Sequence, residues 1–148
     1  MDAQISRKLK LLGMFLFLLG LITGFLMMNI KNPKMGLAAH MEGVMNGTFL
    51  IAVGLIWSEL KLNNKLKTAA YGTLIYGTFV NWFVTLLSAY FGTSKMTPIS
   101  GHGFVGTDLQ ENIVRVGYIT VGLTMLFSVV VMTYGLRGKI QHSNQTIK

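Results

Sequence analysis

Four mostly apolar stretches alternate with short polar breaks along the chain. They run from about Leu9 to Met28, Gly36 to Trp57, Thr68 to Phe91 and Asn112 to Leu136. Each is about 20 residues or slightly longer, enough for a helix to cross a hydrocarbon layer roughly 30 Å thick. The breakers Asn32-Pro33, Asn63-Asn64 and Thr97-Pro98 fall in the connectors. The pattern predicts an all-α, integral membrane four-helix bundle formed by one domain over residues 1–148, with no soluble domain and no internal repeat. The first run follows Arg7, Lys8 and Lys10, as a signal peptide's apolar region would. It is longer than such a region and has no small-x-small cleavage site, so it is read as a retained span. Only the stretch from about Gly92 to Glu111 leaves room for loop structure of its own.

Composition agrees with the pattern. The chain is 51% hydrophobic and 12% charged, about half the charge of a soluble domain. The absence of cysteine excludes disulfides, thiolate metal sites and cysteine nucleophiles. The net charge of +8 raises two partners, nucleic acid and an acidic membrane surface. The placement of the charges decides between them. Arg7, Lys8, Lys10, Lys61, Lys65, Lys67, Arg137, Lys139 and Lys148 fall on one side of the spans, and Lys31, Lys34, Lys95 and Arg115 on the other. The richer side is expected to face the cytoplasm, which puts both termini and the central loop there. No basic-aromatic stripe lies outside the spans, so the expected partner is the lipid bilayer and not nucleic acid.

Polar groups inside a membrane are costly unless paired or used, so they mark the chemistry. The second run carries His40, Glu42 and Asn46 within two turns, and Glu42 is the one acid inside any run. The third adds Asn81 and Thr85. Counted from Gly36 and Gly92 at 1.5 Å per residue, His40 lies roughly 6 Å deep, Thr85 roughly 10 Å, and Asn46 and Asn81 roughly 15 Å. Antiparallel neighbours would thus bring these residues to matching levels, beside a pocket in the outer half of the bilayer.

Helical angles add a constraint. Gly43, Gly47 and Gly54 share a stripe about 40° wide with His40 at its edge, whereas Glu42 and Asn46 lie about 120–160° away from His40. Either His40 and Asn46 serve different contacts, or the site lies between subunits. The Gly43-x-x-x-Gly47 step packs helices closely, within one subunit or between subunits. His40 either hydrogen-bonds a neighbouring helix or ligates a haem iron. Asn46 and Asn81 are interhelical glue or catalytic groups. His102 reads as an ordinary loop residue and His142 as an inert tail residue.

The segment NPKMGLAAHMEGVMNG, followed by YGTFVNW in the third run, resembles the hydroxylaminobenzene mutases and the related styrene oxide isomerases, which share the A-H-x-x-x-x-x-N-G core. The resemblance covers nearly the whole chain. It implies a bacterial inner-membrane homotrimer with haem b bound between subunits. His40 would be the iron ligand, with Gly43 and Gly47 beside the cofactor and Asn46 and Asn81 in the pocket of a small aromatic substrate. It further implies that an N-aryl hydroxylamine rearranges to an aminophenol by Lewis-acid catalysis at ferric haem. Two departures favour the mutase branch. The epoxide isomerases' tyrosine one turn after the third-span asparagine is Thr85 here, and their acid one turn before it is Gly77. Thr85 is therefore a candidate catalytic residue, and a second proton donor is left open. An epoxide-to-aldehyde rearrangement is the alternative, and a non-catalytic haem or membrane partner protein a further one.

Overall fold

The computed structural model describes residues 2–137 and is wholly helical over its regular elements. Four long helices follow in order: α1 (Asp2–Leu26), α2 (Pro33–Ile56), α3 (Asn64–Phe91) and α4 (Asp108–Leu136). Single tight turns, Met27–Asn29 and Trp57–Glu59, close α1 and α2. All four helices are long and apolar enough to cross a membrane. Lys139, His142 and Lys148 lie outside the described residues.

All four helices begin before their apolar runs, and at α2, α3 and α4 a cap sets the start. The Asn32 side chain accepts from the amides of Lys34 and Met35, with Pro33 in the first turn, so α2 starts three residues before Gly36. Asn63 accepts from Leu66 N at 2.9 Å and opens α3. Thr107 and Gln110 form a reciprocal capping box at α4. Gly92, at φ 70°, ends α3 in the left-handed region that glycine tolerates best.

The helices run up and down, and each packs chiefly on the next in chain order. The start of α1, the end of α4 and the 60–63 connector share one end, tied by the Lys67–Asp2 ion pair at 2.6 Å and by Lys61 N donating to Gly135 O at 2.9 Å. At this terminal end all four helices share a core that includes Leu9, Leu16, Leu50, Trp57, Leu74 and Met132.

The tightest seam is α1 on α2. A Cβ on Gly43 would sit 2.5 Å from Gly20 Cα, and one on Gly47 would sit 2.6 Å from Phe17 N. Gly13 and Gly20 are equally crowded by Gly47 O and Val44 N, each 2.6 Å from the added atom. Glycines on both helices thus let the backbones meet, which is how helices associate where lipid is as apolar as the core.

The opposite end carries the 92–107 loop, held at several points. Glu111 is 3% exposed and accepts from Ser94 N at 2.9 Å, Lys95 N at 3.0 Å and Gly106 N at 3.4 Å. Asn32 Nδ2 donates to Ser100 O at 2.9 Å, and Lys31 Nζ to Phe91 O at 2.8 Å.

Candidate functional site

The polar residues of α2 separate onto two flanks. His40 faces α1, where its Nδ1 lies 2.8 Å from Gly20 O. A carbonyl can only accept, so Nδ1 carries the proton. In the neutral tautomer so fixed, Nε2 carries the lone pair. Gly24 gives the imidazole its room, since a Cβ there would lie 2.7 Å from Nδ1.

Glu42 and Asn46 face α3. Glu42 Oε2 accepts from Asn46 Nδ2 at 3.1 Å and, in a short contact, from Asn81 Nδ2. Asn46 Nδ2 also reaches Thr78 O at 3.4 Å. Glu42 is therefore the hub that joins the two expected asparagines, a role its sequence position did not disclose. A carboxylate in a membrane accepts such donors in place of a cation.

The depths counted from the sequence need a correction. Asn81 lies level with Glu42, and Asn46 with Thr78. The count from Gly36 started too late, because the cap at Asn32 begins α2 at Pro33. From Pro33 and Phe91, Glu42 and Asn81 are both about 15 Å deep, and Asn46 and Thr78 about 20 Å.

Thr85 continues the array. Its Oγ1 donates to Asn81 O at 2.8 Å and lies 3.2 Å from Tyr118 Oη of α4. Tyr118 was invisible in the sequence because one tyrosine in an apolar run reads as lipid-facing. Its signal was depth, well inside the span and away from an interfacial belt. Beyond the array, Trp82 Nε1 donates to Thr23 Oγ1 at 3.1 Å and ties α3 to α1.

Gly43 and Gly47 are both buried, and their open sides are taken by α1, with Trp82 also at Gly43. Gly77 is covered by Met125, whose Sδ lies 2.5 Å from where a Cβ would be. His102 is exposed in the loop. Among the described residues no three His, Cys, Asp or Glu side chains group to hold a metal ion.

These features define a small four-span membrane protein with a half-buried imidazole on one flank of α2 and a carboxylate–amide–hydroxyl array on the other. The styrene oxide isomerase family profile matches residues 5–137, and the chain belongs to that family. It is 44% identical to hydroxylaminobenzene mutase HabB of Ectopseudomonas oleovorans over 137 residues, covering 92% of this chain and 84% of that protein. It is 38% identical to hydroxylaminobenzene mutase HabA of the same organism, covering 84% of this chain and 93% of that one. No solved structure matches significantly.

Proposed function

We propose that the chain is a membrane mutase that converts an N-aryl hydroxylamine to an aminophenol, an isomerisation without net redox. The observation that carries the proposal is the 44% identity to a protein named hydroxylaminobenzene mutase over most of both chains. The site's chemistry supports it, because the array holds polar groups that a small polar aromatic substrate can use inside an apolar shell.

Haem b fits the imidazole of His40. A porphyrin brings four nitrogens of its own and needs a single protein ligand, whereas a bare ion would need several. The bond from Nδ1 to Gly20 O fixes the tautomer that leaves Nε2 for iron, as backbone carbonyls do for ligating histidines. What bound ferric haem would supply is Lewis acidity toward the hydroxylamine oxygen.

The chain's own groups bind and orient the substrate. Asn81 spends one amide proton on Glu42 and keeps a second donor and its carbonyl for the substrate. Asn46, with both its donor contacts made at Glu42 and Thr78, holds that carboxylate in place. Thr85 anchors the array to the α3 backbone through Asn81 O. The surrounding helices exclude water, which would otherwise trap an electron-poor aryl nitrogen at the wrong ring carbon.

His40 and the array lie on opposite flanks of α2, which favours an oligomer, a homotrimer by the family resemblance, whose sites form where one subunit's His40 meets the next subunit's array. The unequal distribution of Lys and Arg favours a bacterial inner-membrane location with both termini cytoplasmic. The family profile's own name keeps a second reading, in which an epoxide rearranges to an aldehyde at the same site.

Purified protein should convert phenylhydroxylamine to 2-aminophenol without added reductant and show a Soret band. His40→Ala should lose both. Styrene oxide turnover with none on phenylhydroxylamine would select the second reading. Mixing His40→Ala with Asn46→Ala subunits should restore some activity if sites are shared between subunits, and none if each site is internal to one.

A further inference from the structure

We propose that Tyr118 of α4 is a further catalytic residue, donating its phenol proton to the hydroxyl oxygen as the N–O bond breaks. This assignment rests on the mutase reading above.

Hydrogen-bond direction carries the argument. The Thr85 hydroxyl has one proton and spends it on Asn81 O at 2.8 Å. Toward Tyr118 it can therefore only accept, so at 3.2 Å the phenol is the donor. That separation exceeds the usual O–H···O range of about 2.5–3.0 Å, so the bond is weak. It is readily exchanged for a better acceptor, such as an oxygen gaining negative charge.

The other protons around the array are committed or poorly acidic. Thr78 donates to Leu74 O at 2.8 Å, and the His40 Nδ1 proton to Gly20 O. The Asn46 and Asn81 amides are far weaker acids than a phenol. Tyr118 is about ten residues into α4, roughly 15 Å from its start at Asp108. Its phenol meets the array at Thr85, one turn nearer the loop end than Asn81, and brings α4 to the polar side of α3.

The step balances within the substrate. The N–O bond breaks with its electron pair going to oxygen, which takes the phenol proton and leaves as water. A water lone pair then forms the C–O bond at the ortho carbon, and its extra proton returns to the phenolate. The ortho carbon loses its proton and the nitrogen gains one, which restores the aromatic ring. No oxidant, reductant or co-reactant is consumed.

The test is Tyr118→Phe in the detergent-purified holoprotein with phenylhydroxylamine. A general acid acts in the transition state, so kcat should fall about 100-fold or more while KM stays within about threefold. The elution volume and Soret band should match the wild type. Wild-type kcat should drop in D2O and that of the variant should not. A variant with wild-type kcat, with a change in KM alone, with an equal D2O effect, or without its folded peak or Soret band overturns the assignment. Wild-type protein that leaves phenylhydroxylamine untouched overturns the mutase reading as well, which separates the two failures.

Discussion

The two halves of the molecule are built on different principles. At the terminal end, leucines, alanine, methionine and tryptophan from all four helices fill a common core. Toward the loop end, α2 and α3 are joined by a carboxylate shared between two amides, and α4 by a phenol resting on a threonine. The apolar core of the first half gains from close contact, since lipid is as apolar as its side chains. The second spends polar groups that cost energy at that depth. On the function proposed above, stability and chemistry are divided between two regions, and substitutions in each should separate them.

The largest effect should come at the seam that both halves depend on. Gly43→Val has no room against Gly20, with even a bare Cβ 2.5 Å from its Cα. Overpacking against backbone cannot relax by a rotamer change, so the expected cost exceeds about 3 kcal/mol. Fluorescence-detected gel filtration should show little folded protein. A well-folded Gly43→Val would mean that the α1–α2 contact is looser than described.

Leu74→Ala, in the apolar half, should cost about 2 kcal/mol, near the low end for a buried leucine. The thermal midpoint should fall while activity per folded molecule stays near wild type. Loss of activity at full stability would break the division proposed here.

Glu42→Ala should cost about 1–2 kcal/mol by leaving the Asn46 and Asn81 amides without their acceptor. Activity should fall far more than stability does. Glu42→Gln keeps a carbonyl for both amides and should recover most of the stability, as a melting curve would report. If glutamine is no more stable than alanine, the carboxylate is not the hub of the array.

How much of this was legible varied with the kind of information. Hydropathy located the spans, because length and apolarity are properties of a single segment. Helix starts came out late at all four helices, at α2, α3 and α4 because Asn32, Asn63 and Thr107 cap on polar residues outside the apolar runs. The glycine stripe of α2 was visible, but its partners Gly13 and Gly20 needed knowledge of which helix lies opposite. Angles separated His40 from Asn46 correctly within the subunit, for the same reason that spans could be read: both concern one helix. Glu42 stood out as the one acid in a span, yet its central role depends on the register of α3. Tyr118 depends on α4, which no pattern in α2 or α3 could locate.

The loop over residues 92–107 is fastened by Glu111, Asn32 and its own backbone turns. A cover pinned at so many points does not act as a hinged gate. Under the mutase activity proposed above, an aromatic substrate would then enter sideways, out of the lipid and between helices. Throughput would track how strongly a compound partitions into the bilayer, so compounds of equal reactivity but different oil–water preference should be processed at different rates from the same aqueous concentration.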